Sequence, residues 1–276
     1  MAQNGSSGRA GAAVKELASA NYSAPALEKG LDILELLARS ERGMTQTEIA
    51  VGLGRSIHEI YRMLNTLVKR SYIASAGDAY SITPWIYELA HMHPPTERLV
   101  QEATPIMQEV VNRLDQSCHV TLYSPGKQVV VAKTDAVGGM GFSVRLGAEV
   151  MVVQSASGLV LMAFQDAATR AIRIEQCAAS LSRKARDELE RQLDGVERAG
   201  FASIESTQFR GLHVVSYPVM NSHGHAGAAL TVPFLERLDR DASGALEDVH
   251  RNLAEGARKL SRRLGGRLVD ETLASA

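Results

Sequence analysis

The chain has 276 residues, and at about 100–200 residues per domain this length indicates two domains rather than one. Apolar residues make up 45% of the chain and charged residues 22%, a balance that excludes a disordered protein. Because 30 Lys and Arg nearly cancel 31 Asp and Glu, the net charge excludes a general attraction to nucleic acid. Any DNA contact must therefore use a local patch.

Cysteine content and hydropathy narrow the class of protein further. The only cysteines, Cys118 and Cys177, have no CxxC or Cys/His spacing, which argues against a disulfide framework and a zinc finger. No apolar run approaches the ~20 residues needed to span a bilayer, and Gly and Ser stand where a signal peptide needs an apolar core. We therefore expect a cytoplasmic protein with no membrane partner and no cofactor.

The composition changes at about residue 24. Residues 1–23 are rich in Gly, Ala and Ser and are predicted to form a disordered tail. From Pro25 onward, Leu27, Leu31 and Leu34 recur at i, i+4 and i+7, which predicts an amphipathic helix.

Two capping boxes follow, in which a hydroxyl and a Glu side chain satisfy the free amides at a helix start. They are Thr45-Gln46-Thr47-Glu48 and Ser56-Ile57-His58-Glu59. Gly52-Leu53-Gly54 ends the first, short helix, and the second helix is predicted to run to about Arg70. Two short strands around Ala76-Gly77-Asp78 then form a hairpin. This order predicts a winged helix-turn-helix DNA-binding domain over residues 24–84.

The helix that begins after Ser56 has two contrasting faces. At ~100° per residue, its apolar side, predicted to face a core, consists of Ile57, Ile60, Leu64, Leu67 and Val68. The opposite side carries His58, Arg62, Asn65 and Lys69, which are hydrogen-bond donors without a carboxylate. A merely solvated polar face is the alternative interpretation. The position after a capped helix and a Gly turn favours a helix that contacts bases and phosphates. The residues predicted to bind DNA are Arg55, Ser56, His58, Glu59, Tyr61, Arg62, Asn65 and Lys69.

The rest of the chain predicts a linker helix over residues 85–95 and a second domain over residues 96–276. A helix from Trp85 to Met92 should stop at His93-Pro94-Pro95, and a long helix should run from about Thr96 to Leu114. The predicted strands are Cys118–Ser124, Gln128–Thr134, Gly141–Leu146, Leu212–Val219 and Ala226–Val232. The predicted helices are Ser157–Phe164, Ala168–Gln176, Arg183–Ala199 and Ala242–Leu264. Strands, then helices, then strands predict an α+β domain with an antiparallel sheet.

Several short motifs carry a resemblance to a known family. In the first domain they are Ala26-Leu27-Glu28-Lys29-Gly30-Leu31-Asp32-Ile33-Leu34, Thr45-x-Thr47-Glu48-Ile49-Ala50 and Tyr61-Arg62-Met63-Leu64-Asn65-Thr66-Leu67. In the second they are Gly147, Ser155-Ala156-Ser157-Gly158, Gly200-Phe201, Gly211-Leu212 and Pro218-Val219. In this order and spacing, the chain from Pro25 to about Gly265 resembles the IclR family of bacterial transcriptional regulators.

The resemblance implies a winged-helix DNA-binding domain joined by a linker helix to an effector domain of GAF-like fold, an antiparallel sheet flanked by helices. It also implies homodimers, often homotetramers, that bind a small organic acid or aromatic effector. The implied effector-binding residues are Met140, Phe142, Val144, Ser155, Ser157, Gly158, Leu212, Val214 and Thr231. Free amides at the helix start near Ser157 would suit an aromatic or aliphatic carboxylate.

The sequence departs from the family pattern at three places. The recognition helix starts with Ser56-Ile57-His58-Glu59 where members often have a Pro-Lys-Ser-Thr type start, which bears on the base sequence that is read. The predicted wing carries Asp78 and no basic residue at its tip, so we expect weak wing contacts. Val214 replaces a cysteine that is common in the family.

Other candidate sites give weaker predictions. His213, His223 and His225 lack a neighbouring carboxylate or cysteine, so no metal site is predicted. Cys118 and His119 should point to opposite faces of a strand, which argues against a catalytic pair. The sequence thus predicts a non-enzymatic, DNA-binding transcriptional regulator whose operator affinity a small effector controls. A small-molecule-processing enzyme with an accessory helical domain is the alternative.

Overall fold

The computed structural model describes residues 24–138, 141–179, 181–236 and 245–267. The predicted tail over residues 1–23 lies outside these ranges. The chain divides into two compact units, the first ending at His93 and the second beginning at Pro94. None of the helices in the described ranges is both long enough and apolar enough to cross a membrane.

The first unit consists of helices and a small antiparallel sheet. Its helices are α1 (Pro25–Ala38), α2 (Gln46–Gly52), α3 (Ile57–Lys69) and α4 (Trp85–His91). Its strands are β1 (Met44–Thr45), β2 (Ile73–Ala76) and β3 (Ala79–Ile82), in the spatial order β1-β3-β2. The predicted winged helix-turn-helix is confirmed, with β2 and β3 as the hairpin. Strand β1, which pairs with β3, was not predicted because it is only two residues long.

Local signals and a small apolar core hold this unit together. Both predicted capping boxes form at the starts of α2 and α3. The core consists of Ile33, Leu37, Ile49, Ala50, Ile60, Leu64 and Ile73. The prediction that Ile57 faces this core is wrong, since its side chain is 40% exposed. Ile57 is the first residue of α3, and the core is filled by Ile60 and Leu64 from the following turns.

The second unit is built on an antiparallel sheet of six strands in the order β6-β5-β4-β9-β8-β7. The strands are β4 (Cys118–Ser124), β5 (Lys127–Thr134), β6 (Glu149–Val150), β7 (Ala202–Glu205), β8 (Leu212–Met220) and β9 (Ala226–Leu235). The helices are α5 (Pro94–Leu114), α6 (Ala156–Ala163), α7 (Ala167–Ala178), α8 (Arg183–Ala199) and α9 (Ala245–Arg263). The predicted α+β class is therefore confirmed.

Helices cover both faces of this sheet. Helices α5 and α9 bury their apolar faces on one side, where Val120, Val215 and Leu230 of the sheet meet them. On the other side lies α6, whose eight residues are all buried, with α7 and α8 packed around it. A helix that is apolar all round is buried on every side. The first turn of α6, which includes Ser157, therefore lies inside the domain.

Two predicted elements of the chain differ from the structure. The strand predicted over 141–146 is wrong, since this segment is irregular and only Glu149 and Val150 pair with β5. The alternation of Phe142 and Val144 marks side chains that line a cavity rather than a sheet face. Strand β7 was not predicted. The linker helix predicted over 85–95 ends at His91, and α5 begins at Pro94, because the first turn of a helix tolerates prolines.

Candidate functional site

The second helix of the helix-turn-helix presents a polar stripe to solvent. His58, Arg62, Asn65 and Lys69 are all exposed on α3. No other residue in the described ranges makes a hydrogen bond or ion pair with these four side chains. Tyr61 lies beside them and is 51% exposed. These side chains can therefore bind an external partner without breaking any contact of the folded unit.

Ser56 and Glu59, by contrast, are committed to the start of α3. The Glu59 carboxylate accepts hydrogen bonds from the Ser56 backbone N–H at 3.0 Å and the Ser56 hydroxyl at 3.0 Å. Lys29 Nζ lies 3.1 Å from the same carboxyl group. The Ser56 N–H, Lys29 and the Ser56 hydroxyl together lower the pKa of Glu59 to about 2. Glu59 thus stays charged and fixes the helix start.

Arg55 is also engaged within the unit. Its Nη2 lies 2.9 Å from Asp32 Oδ2 on α1, and its side chain is half-buried. Residues 55–70 contain four basic residues and one acidic residue, but Asp32 neutralises one of these cations. In the described part of the chain, Arg62, Lys69 and Arg70 are the cations of this segment without an acidic partner. The positive charge therefore concentrates on the middle and the C-terminal end of α3.

The second unit contains a cavity of about 270 Å³ on the α6 side of the sheet. Seven of the predicted effector residues line it: Phe142, Val144, Ser155, Ser157, Leu212, Val214 and Thr231. Met140 lies outside the described residues. Gly158 does not line the cavity; a Cβ there would lie 2.0 Å from the Val152 carbonyl oxygen, so Gly158 allows α6 to pack against its own approach loop.

Eleven further residues, which the sequence did not predict, also line the cavity. They are His119, Glu149, Val150, Met151, Gln154, Ile204, Ser206, Thr207, Gln208, Phe209 and Pro233. Residues 206–209 follow the unpredicted strand β7, and Phe209 packs edge-to-face on Phe142 with ring centroids 5.0 Å apart. His119 faces the cavity because β4 and β9 pair it with Thr231. Only this pairing with Thr231 indicates that His119 belongs to the cavity. The residue pattern of one strand does not reveal which residue of another strand lies opposite, so the sequence alone did not predict it.

Hydrogen bonding at the start of α6 distinguishes its two serines. The Ser155 hydroxyl donates to Met151 O at 2.6 Å and accepts from Gln128 Nε2 at 2.6 Å and the Gly158 N–H at 3.2 Å. Ser155 is therefore fully used as the N-cap. Ser157 is only 2% exposed, and its hydroxyl has no hydrogen-bond partner among the described residues. The Gly158 and Leu159 N–H groups donate to Ser155. The Ser157 hydroxyl and the N–H groups of Ala156 and Ser157, which have no acceptor within the helix, are therefore the donors at this end of the cavity.

The cavity walls are mostly apolar, and no lysine or arginine is among the lining residues. Its carboxylate, Glu149, is ion-paired with Lys127. Burial lowers the pKa of His119 to about 4, so its imidazole is neutral at physiological pH. The Thr231 hydroxyl lies 2.9 Å from Ser216 Oγ and is already hydrogen-bonded. The cavity surface is thus mostly apolar, although nine of its 18 lining residues have polar side chains, and its carboxylate is ion-paired.

Two of the histidines considered for a metal site have different neighbours, since His225 Nε2 lies 3.8 Å from Asp166 Oδ2 and His213 lies beside Ser203. His213 Nε2 lies 2.7 Å from Ser203 Oγ, which is also 3.3 Å from His250 Nε2 on α9. The other ring nitrogen of His250, Nδ1, lies 3.1 Å from the Tyr217 hydroxyl. No group of three metal-binding side chains forms within the described part of the chain. This Ser203 network lies on the α9 face of the sheet, outside the cavity.

The fold and the site together define a helix-turn-helix transcriptional regulator with a C-terminal effector-binding domain. The IclR helix-turn-helix domain matches residues 26–77, and the bacterial transcriptional regulator IclR C-terminal domain matches residues 96–262. The chain therefore belongs to the IclR family of bacterial transcriptional regulators.

Individual relatives are distant in sequence but match along most of their length. The chain is 25% identical over 247 residues to the HTH-type transcriptional regulator KdgR of Escherichia coli K12, covering 86% of this chain and 91% of that protein. The crystal structure of the Thermotoga maritima IclR superposes with a TM-score of 0.65 at 18% identity, over 87% of this chain and 98% of the other. An IclR homolog from Microbacterium hydrocarbonoxydans, complexed with 4-hydroxybenzoate, gives a TM-score of 0.71 at 19% identity, over 87% and 98%.

Proposed function

We propose that this regulator binds an operator in duplex DNA through α3 and that a small organic carboxylate in the cavity changes its operator affinity. The exposed, unpaired stripe on α3 is the observation that carries the DNA part of the proposal. Arg62 and Asn65 have the geometry for bidentate contacts with base edges. His58, Tyr61 and Lys69 contact neighbouring phosphates and sugars. Arg55, Ser56 and Glu59 hold the helix start that faces the duplex.

The cavity supports the effector part. Its volume of about 270 Å³ falls just below the ~300–1,000 Å³ of typical ligand sites, so the effector is small. Apolar walls with two aromatic rings favour an aromatic or aliphatic body. The Ser157 hydroxyl and the N–H groups of Ala156 and Ser157 at the start of α6 supply donors for a carboxylate. The 4-hydroxybenzoate complex of a structural neighbour supports a ligand of this class.

The proposal includes self-association as a homodimer or homotetramer in the cytoplasm. The chain is nearly neutral, with 30 basic and 31 acidic residues, so one α3 helix gains little from general attraction to DNA. Two linked recognition helices raise the affinity through effective concentration and match two half-sites one or more helical turns apart. Effector binding changes operator affinity by favouring one arrangement of the two helices.

The enzyme alternative has weaker support. A nucleophile and its base would have to meet in the cavity, and the Ser203–His213 contact lies on the opposite face of the sheet. Cys118 packs in the α5–α9 core while its neighbour His119 lines the cavity, so these two do not form a pair. The proposal therefore assigns no catalytic residue and no metal or other cofactor.

Fluorescence anisotropy with duplex DNA from the region upstream of the protein's own gene tests this function. We expect specific binding over a scrambled duplex of equal length, weakening with added salt. A thermal-shift screen of aromatic and aliphatic acids should then give a ligand that raises the melting temperature and changes the DNA dissociation constant. Equal affinity for both duplexes at low salt would contradict the DNA-binding part. A ligand that stabilises the protein but leaves DNA affinity unchanged would contradict the regulatory part.

A further inference from the structure

Like Ser157, the buried His119 side chain in the cavity has no hydrogen-bond partner among the residues that the structure describes. His119 is 5% exposed, and its side chain lines the cavity. Within the described ranges, no side chain or backbone group makes a hydrogen bond with its imidazole. Leaving a buried polar group unpaired is costly, and native structures rarely do so without a ligand or a water. The partner of this imidazole is therefore expected among the molecules that enter the cavity.

We propose that His119 is a specificity-determining residue that recognises a hydroxyl or keto oxygen of the effector, which makes the effector a hydroxy- or oxo-substituted monocarboxylate. This inference rests on the proposed effector function of the cavity. It adds the identity of the effector's second polar group, the one other than its carboxylate. The carboxylate lies at the start of α6 beside Ser157, and the hydroxyl or keto oxygen lies at His119.

The charges around His119 support recognition of an uncharged group. Across the sheet, His119 is opposite Lys133 on β5 and Thr231 on β9. Lys133 is held by Asp135 at 2.9 Å, and it also contacts Ser143. These charges are matched within the protein, so none of them stabilises a proton on the imidazole.

A neutral imidazole carries one donor and one acceptor. A hydroxyl group can satisfy both, and a keto oxygen can accept from the donor. A second carboxylate at this position would be a buried anion without a cation, because no Lys or Arg lines the cavity. The same argument disfavours phosphorylated ligands. The cavity chemistry thus selects a single negative charge and a separate neutral oxygen.

Matched pairs of small acids test the assignment by calorimetry. The aromatic probes are benzoate against 3-hydroxybenzoate and 4-hydroxybenzoate, and the aliphatic probes are propionate against lactate and pyruvate. In the wild-type protein we expect at least one oxygenated probe to bind about tenfold or more tightly than its parent acid. His119→Phe, which keeps a planar ring without ring nitrogens, should abolish this preference. His119→Gln should retain part of it, and His223→Phe, in an exposed turn, should leave it unchanged.

Two further measurements keep the test decisive if His119→Phe fails to fold. In the wild-type protein, the imidazole ¹⁵N resonances of His119 should shift with the preferred oxygenated probe and not with its parent acid. Between pH 6 and pH 8, the affinity for that probe should stay constant, and the heat of binding should not depend on the ionisation enthalpy of the buffer.

Three other results would contradict either the role of His119 or the proposed effector class. Equal preference in wild type and His119→Phe would overturn the assignment while leaving effector binding intact. Proton uptake on binding, with an affinity that falls as pH rises, would show that His119 pairs with the carboxylate as a cation and would overturn it as well. Failure of every probe to bind the wild-type protein would overturn both this inference and the proposed effector class.

Discussion

Arg62 offers the most direct test of the proposed DNA-binding surface. Replacing Arg62 by Ala removes a guanidinium fork that has no partner within the described residues, so the folded unit loses no contact. A bidentate contact from Arg to a base edge contributes about 1–3 kcal/mol of discrimination. At tenfold per 1.4 kcal/mol, we expect the operator dissociation constant to rise about 5- to 150-fold. The free energy of unfolding should change by less than about 0.5 kcal/mol.

Fluorescence anisotropy on the specific and scrambled duplexes gives both affinities, and urea unfolding gives stability. Lys69→Ala is the comparison for a phosphate contact: it should weaken binding to both duplexes alike and reduce the salt slope by about 1. Arg183→Ala, an exposed arginine at the start of α8, is the control and should change nothing. If Arg62→Ala binds the specific duplex as tightly as wild type, Arg62 does not belong to the reading surface, and the orientation assigned to α3 is wrong.

Two further predictions concern stability. Gly158→Ala places a methyl group 2.0 Å from the Val152 carbonyl oxygen and should destabilise the effector domain by about 1–3 kcal/mol. Gly195→Ala should be neutral or stabilising, because a Cβ added there meets no atom within 4 Å other than the adjacent backbone of its own helix. Thermal unfolding compares the two variants, and equal effects would refute the packing argument. Lowering the pH from about 6.5 towards 4 should reduce the free energy of unfolding, because the unfolded chain protonates His119 at its ordinary pKa while burial lowers its folded pKa to about 4. Urea unfolding of His119→Gln should show a smaller loss over this range, and an identical pH dependence would count against the buried, neutral His119.

The first unit could be predicted almost completely because its signals are local. A capping box such as Thr45 with Glu48 involves residues three apart, and the polar stripe of α3 follows from helical periodicity alone. The net charge that residues 55–70 present to solvent could not be predicted in the same way. Asp32 neutralises Arg55 across 23 positions of the chain, and this contact depends on how α1 packs beside the turn.

The cavity was predicted only in part, for a related physical reason. Ser157 and Leu212 came from the family resemblance, whereas His119 depends on its register with Thr231 and Phe209 depends on a loop after a short strand. The segment around Phe142 and Val144 shows the opposite error. Its apolar alternation is real, but the alternate side chains turn towards a cavity instead of a sheet, and periodicity does not distinguish the two.

The Ser203 hydroxyl couples two histidines that are distant in sequence, His213 and His250, through a single hydrogen atom. A hydroxyl can donate to only one acceptor, so His213 and His250 cannot both present a bare Nε2 to Ser203. When His213 accepts and His250 is neutral with hydrogen on Nε2, the Nδ1 atom of His250 is bare, and the Tyr217 hydroxyl must donate to it. The tautomer of His213 on β8 therefore depends on the tautomer of His250 on α9, and the reverse also holds. Substitutions of the two imidazoles should consequently have effects that do not add.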